Sequence, residues 1–380
     1  MPEVGQVGRI PLRNIWFLFL YAADLARFMG RFDAEVEESP ELPDLVGRLL
    51  CHAVELRLRR NLSRGYRPRS DVLSRVRGRI DLLRTERGQL LDRGQIACRY
   101  DDHTLDTPRN RLVRAALEAL AGRVSTSDRA HACRTLAASL GRLGVQGGRP
   151  SRSELATDPI SRHDAEDRLM VTLAEFVFDL VLPTEDAGDR RLAAADKEER
   201  LVRALFEKAV CNLLAAELRP EGWSVRPGGR LDWPVEAATP GIAAILPAMF
   251  TDIVLEHPGQ CRRIIIDTKF TGIFTRSRWR EAMLKSPYLY QIYSYLRSQA
   301  CPADPLSLAA QGILLHPAID AEVNESAIVQ GRALRFMTVD LTRPNAAIAD
   351  RLRGVARIVS LRTSAKSHEG VEPGSAPVGG

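Results

Sequence analysis

The chain has 380 residues, 45% of them hydrophobic, with a formal net charge of +6 and a pI near 9.1. That is enough apolar material for two or more packed domains, while 48 acids interspersed among 54 bases leave only a weak preference for anionic partners such as nucleic acid. Six cysteines, at positions 51, 98, 133, 211, 261 and 301, include no CxxC pair, which argues against zinc fingers, cysteine-ligated clusters and a disulfide framework and points to a reducing cytoplasmic setting.

The apolar run over residues 15–23 lies beyond Arg9 and Arg13, ends at Asp24 and is too short for a membrane span, so it reads as a buried helix. Leu45, Leu49, Ala53 and Leu56 recur at helical spacing. Residues 80–83 and 95–100 read as strands of a small β insert, and Thr107 followed by Pro108 gives an N-cap and first-turn proline for the next helix. Residues 144–159 form the best candidate loop of this half, and residues 183–200 look like a hinge. The expected division is a helical domain with a β insert over 1–194, a second domain over 195–362 and a disordered tail over 363–380.

The second domain begins with a helix over roughly 198–218, whose apolar stripe is Leu201, Leu205, Ala209 and Leu213, with Glu207 off the stripe. Strand-like SVRPGGRLDWPVE follows, then a β-rich segment over 249–270, then a helix starting at Ser286 and Pro287. On that helix Gln291 and Tyr295 are four apart and share a face, with Tyr288 beside them. Strand-like GILLH and LRFMTVDL complete a sheet, and a last helix follows. The fold class is α/β (α+β), a mixed sheet flanked by helices.

The segment MFTDIVLEHPGQCRRIIIDTKF carries the chemistry. Its two β-branched runs are separated by turn residues His257, Pro258, Gly259 and Gln260, so they pair as a hairpin. With the turn centred between Gly259 and Gln260, opposed positions sum to 519 and Asp252 lies across from Asp267, their Cβ atoms roughly 5 Å apart. Lys269, two residues after Asp267, points to the same face. Two opposed carboxylates call for a cation between them, and Mg²⁺, which takes one or two carboxylates plus phosphate oxygens and water, suits an open two-acid site. The competing reading is a surface ion-pair hairpin. Only five lysines, at 197, 208, 269, 285 and 366, stand against 49 arginines, and of the five only Lys269 has an acid two positions before it. The pattern is that of the PD-(D/E)xK, restriction-endonuclease-like class, with Thr251 in place of the motif's proline and Asp267 in place of its glutamate.

The chain also resembles a specific family, McrC, the nuclease subunit of the McrBC modification-dependent (type IV) restriction system. IPLRNIWFLFLYA, RGRIDLLRTERG, YDDHTLDTPRNRLVRAAL, LPAMFTDIVL, IIIDTKFTGIF, LYQIYSYL and GILLHP are similar to its blocks and follow in its order. The resemblance implies that Asp252 and Asp267 bind Mg²⁺ and that Lys269 is the third catalytic residue. Gln291 and Tyr295 resemble the QxxxY helix of RecB-like nucleases, which would hold DNA; a tyrosine-rich core helix is the alternative. Glu207 stands where some nucleases of this class place another acidic ligand, although a solvated helix face accounts for it equally. Arg276, Arg278 and Arg280, around Trp279, are candidates for phosphate-backbone contact or for a solvated charged turn. The family further implies an AAA+ GTPase hexamer, McrB-like, as partner, methylated double-stranded DNA as target, and docking of residues 1–194 on the GTPase ring. GTP would be bound by that partner, since no GxxxxGK[ST] occurs in this chain. The competing functions are a non-catalytic adaptor that stimulates the GTPase and a stand-alone RecB-like repair nuclease.

Overall fold

The computed structural model describes residues 6–7, 10–32, 36–160, 165–181, 190–275, 283–318 and 322–357. The expected tail, 363–380, lies outside them. The chain divides into two compact units, Met1–Ala216 with Asp340–Ala349, and Glu217–Val339 with Asp350–Gly380. Among the described residues no helix is long and apolar enough to cross a membrane.

The first unit is mainly helical. The apolar run near the start forms α1, Leu12–Ala22, in which Ile15 to Leu20 are all buried. The NH2 of Asn14, fully buried, donates to the carbonyls of Leu341 and Arg343. Helix α2, Leu42–Arg59, buries Leu45, Leu49 and Ala53 as the spacing predicts and leaves the fourth member of the stripe, Leu56, half-buried. A β insert follows. Strand β1, Gly65–Leu73, pairs along its full length with β3, Ile96–Thr104, and the short β2, Arg79–Ile80, lies on the other side of β3.

Two expectations for this region are corrected. Residues 82–83 are not strand but open a helix, α3, Leu82–Arg87, because the Asp81 carboxylate accepts from Arg84 N at 3.1 Å and caps it. The candidate loop over 144–159 contains a helix, α6, Arg152–Ala156, started by a capping box between Ser151 and Glu154. Before it come α4, Pro108–Leu120, capped by Thr107 as expected, and α5, Ser127–Arg142, capped by Thr126. After it come α7, Ala165–Val181, and α8, Arg190–Leu218. The expected hinge is therefore helical from Arg190 onward, and residues 182–189 lie outside the described set. Phe19 of α1 meets Phe176 of α7 with ring centroids 5.2 Å apart, and Asn212 of α8 donates to the Tyr21 carbonyl at 2.9 Å, closing the end of α1. The Asp167 carboxylate, fully buried, is matched by Arg57 at 2.6 Å and Arg109 at 3.2 Å.

The second unit is built on a six-stranded mixed sheet. Its strands are β4, Ser224–Pro227; β5, Ile253–His257; β6, Arg262–Thr268; β7, Gln311–Pro317; β8, Asn324–Val329; and β9, Arg332–Val339. Across the sheet the order is β8-β9-β7-β6-β5-β4. The central pairs β6/β7 and β7/β9 are parallel, whereas β4/β5, β5/β6 and β8/β9 are antiparallel. Ile264, Ile265, Ile266, Leu314 and Leu315 are buried, as expected for central strands covered on both faces. Helix α9, Ser286–Ser298, lies against β7 through Ile292 and Leu296. A Cβ on Gly312 would lie 2.7 Å from the Ile292 side chain, so the close approach of helix to strand requires glycine there. Helix α10, Asn345–Arg353, is the last α-helix among the described residues, and the division between the units falls within it, after Ala349.

Candidate active site

Strands β5 and β6 form the expected hairpin in the expected register. Arg262 pairs with His257, Ile264 with Leu255 and Ile266 with Ile253, each pair summing to 519. The turn is a single 3-10 turn, Pro258–Gln260, closed by Cys261 in the left-handed region at φ 50°. One step beyond the last pair, the register sets Asp252 opposite Asp267.

Asp267 lies on the central strand, 1% exposed, between β5 and β7 and level with Leu314. A carboxylate taken out of water costs several kcal/mol unless its charge is met. Lys269 meets it, with Nζ 2.9 Å from Asp267 Oδ2. The main-chain N–H of Lys269, one residue past the end of β6, donates to the Leu315 carbonyl at 2.9 Å, which ties the lysine backbone to β7. Its side chain lies over the Tyr288 ring, Nζ 5.2 Å from the centroid.

Asp252, half-buried, stands just before β5. Its Oδ2 accepts from Thr268 N at 2.6 Å and from Thr268 Oγ1 at 2.8 Å. The cause is local: the β5/β6 ladder has ended, and the carboxylate takes the N–H that would otherwise go unpaired. Asp252 Oδ1 makes no hydrogen bond among the described residues. The Asp252 backbone is fixed from the β4 side. Gly228 N donates to the Asp252 carbonyl at 2.6 Å, Thr251 N to the Gly229 carbonyl at 3.2 Å, and Gly229 N to Thr251 Oγ1 at 3.3 Å. A Cβ on Gly228 would sit 1.9 Å from the Thr251 carbonyl oxygen, so no other residue fits without moving Thr251.

Helix α9 supplies the opposite wall. Tyr295 is 3% exposed among Ile265, Ile292, Leu314 and Phe336, and its hydroxyl accepts from Gln291 Nε2. Burial pushes the Tyr295 phenol above its ordinary value, and the charges of Asp267 and Lys269 act on it in opposite senses. Gln291 and Tyr295 thus share a face, as expected, with the tyrosine in the core and the half-buried glutamine oriented by it. His316 on β7, 1% exposed, donates from Nδ1 to the Thr271 carbonyl at 2.8 Å, and its ring centroid lies 5.8 Å from that of Tyr288. Burial first, then the ammonium charges of Lys285 and Lys269, push its pKa down to about 4, so the imidazole is neutral at physiological pH. Lys285 Nζ lies 5.7 Å from the Tyr288 centroid.

Four expected site residues are not among the described residues of this unit. Glu207 is on the exposed side of α8, in the first unit. Arg276, Arg278 and Arg280 lie outside the described residues. Conversely, Thr268, Gly228, His316 and Lys285 belong to the site without having been singled out in the sequence; for Lys285 alone there was a signal, the scarcity of lysine in the chain.

The donor set fits magnesium. Two hard carboxylates, one with an oxygen outside any hydrogen bond, suit an ion that keeps water and takes substrate phosphate oxygens. No group of three or more His, Cys, Asp or Glu placed to hold a metal occurs among the described residues, so the three- or four-ligand set of a zinc centre is not assembled there.

The sequence matches the family described as McrBC 5-methylcytosine restriction system component over residues 12–308. It is 24% identical over 335 residues to the type IV methyl-directed restriction enzyme EcoKMcrBC of Escherichia coli (strain K12), which covers 87% of this chain and 93% of that protein. The fold is similar to a chain of the refined half-complex of Thermococcus gammatolerans McrB AAA+ hexamers with bound McrC. That match has a TM-score of 0.53 at 14% identity and covers 91% of this chain and 76% of the other.

Proposed function

This chain belongs to the McrBC 5-methylcytosine restriction system component family, and from that premise we propose that it is the McrC-type nuclease subunit, hydrolysing DNA phosphodiester bonds with Mg²⁺ in complex with an McrB-like AAA+ GTPase hexamer. The observation that carries the reading is the meeting of Asp252, Asp267 and Lys269 at the ends of two paired strands. The solved assembly with a similar fold contains McrB hexamers with bound McrC, and the E. coli relative is a methyl-directed restriction enzyme, which together support the partner and a methylated DNA target. GTP belongs to the partner, because this sequence has no P-loop.

Asp252, through Oδ1, and Asp267 would hold the ion. Bound there, Mg²⁺ would polarise the phosphate and lower the pKa of a bound water. Lys269 balances Asp267 in the resting site, and its compact ammonium is suited to orienting the attacking water or offsetting charge on the phosphate. Gln291, held by Tyr295, is the group of α9 presented to nucleic acid. The same proposal assigns residues 195–362 to the nuclease domain, residues 1–194 to docking on the GTPase ring, Glu207 as a further acidic ligand, and Arg276, Arg278 and Arg280 to the phosphate backbone.

The test is cleavage of methylated and unmethylated plasmid by the full chain with Mg²⁺, alone and with its AAA+ partner and GTP, with Asp267→Asn as control. Cutting that needs the partner, GTP and Asp267 is the expected result. Cutting that survives Asp267→Asn, or stimulated GTP turnover with no cutting under any condition, overturns the nuclease assignment, the latter in favour of an adaptor.

A further inference from the structure

Two of the chain's five lysines meet at one tyrosine ring. Lys269 Nζ and Lys285 Nζ lie 5.2 Å and 5.7 Å from the Tyr288 centroid. Both ammonium charges also act on the buried imidazole of His316, which packs beside that ring and, being neutral, adds no charge of its own.

The two lysines differ in how their charge is met. Lys269 is neutralised by Asp267 at 2.9 Å. Lys285 forms no ion pair among the described residues. It also occupies the N-cap position of the 13-residue α9, with no side-chain cap hydrogen bond and no acid in the first turn. That position favours Ser, Thr, Asp or Asn, and a cation at the positive end of a helix is repelled by the backbone dipoles. A residue that breaks its local rule without an internal compensation marks a place where something other than folding set the choice. Among the described residues the half-buried Lys285 therefore has no acid paired with its charge, beside the candidate catalytic lysine, and an anion that arrives with the substrate is the complement it calls for.

We propose that Lys285 is a second phosphate-binding residue of this site, gripping a non-bridging oxygen of the DNA backbone next to the scissile phosphate, beside the Tyr288 ring that it shares with Lys269. This inference rests on the nuclease reading for its substrate class. A long, rotatable ammonium is suited to that role as a point charge on phosphate.

The experiment measures binding of a short fluorescein-labelled DNA duplex to the full chain by anisotropy over a series of salt concentrations, with Ca²⁺ in place of Mg²⁺ to hold cleavage back. For Lys285→Gln the affinity falls several-fold, and the slope of log K against log salt becomes shallower by about 0.9, the loss of one phosphate contact. Lys285→Arg restores the slope, and Lys208→Gln, on the exposed side of α8, leaves it unchanged. The melting temperature of Lys285→Gln stays at or above that of the wild type, since removing a cation relieves the helix end; a purely structural role would lower it. In plasmid cutting by the assembled complex, Lys285→Gln raises KM more than it lowers kcat. An unchanged salt slope in Lys285→Gln, or no duplex binding by the full chain, overturns the inference, even where Asp267→Asn abolishes cutting and the nuclease reading stands. A flattened slope together with cutting that survives Asp267→Asn would remove the nuclease reading and leave Lys285 as a phosphate contact.

Discussion

Removing Lys269 tests whether the buried charge of Asp267 is held in place by its neighbour. The carboxylate is 1% exposed, the lysine side chain 20%, and the two are 2.9 Å apart. Breaking a buried pair by removing one partner costs about 3–5 kcal/mol, because the other charge is left without compensation. Water can follow the partly exposed lysine into the vacated space, so the lower end, about 3 kcal/mol, is expected for Lys269→Ala. Asp267→Asn keeps the shape and removes the buried charge, leaving Lys269 free to turn to solvent, and should cost under about 1 kcal/mol. The double variant should then resemble Asp267→Asn, giving a coupling of about 3 kcal/mol. Hydrogen exchange of the peptide over residues 249–270, read by mass spectrometry, reports this local stability, with urea unfolding as a check. Mg²⁺ adds a second arm. An ion that binds only the folded site stabilises it by about 2.7 kcal/mol at a hundredfold excess over its Kd. It should therefore protect the wild type and Lys269→Ala but not Asp267→Asn. Equal destabilisation by Asp267→Asn and Lys269→Ala, or Mg²⁺ protection that survives Asp267→Asn, would refute this account of the site.

Three further outcomes follow from the geometry. The folded state holds His316 neutral, with its pKa pushed down to about 4 against about 6.5 when unfolded, so below pH 6.5 the unfolded chain takes up a proton that the folded one refuses. Stability should be flat above pH 6.5 on this account and fall by about 3 kcal/mol in total between pH 6.5 and 4, a dependence that melting curves should show disappearing in His316→Asn. Gly228→Ala places a methyl 1.9 Å from the Thr251 carbonyl and must displace the Asp252 backbone, so cutting should drop at least tenfold while far-UV circular dichroism is unchanged; wild-type cutting would show that Asp252 does not need this clamp. Tyr295→Phe removes the hydroxyl that accepts from Gln291 but keeps the ring in the core, so it should cost about 1 kcal/mol in stability and weaken DNA binding as much as Gln291→Ala does; binding unchanged in both variants would leave α9 a core helix.

What the sequence discloses of this site follows the range of the forces that build it. The hairpin is local: Pro258 and Gly259 set the turn, the turn sets the register, and the register alone places Asp252 opposite Asp267 and Lys269 on the same face. The Thr107 cap and the Leu45, Leu49 and Ala53 stripe are legible for the same reason, since each depends on residues within one or two turns. Even locally, capping chemistry decided against strand character at Leu82 and Leu83, where Asp81 starts a helix that an apolar pair alone does not announce. The rest of the site is assembled across the fold. The Asp252 carboxylate bends onto Thr268 because a ladder ends there, and Gly228 meets Thr251 only because β4 is laid beside β5. Lys285 and Lys269 are 16 positions apart in sequence and come together because Gly312 lets α9 settle onto β7. None of these contacts has a spacing to read. The one trace they leave is compositional, a lysine kept at a helix start in a chain of 49 arginines.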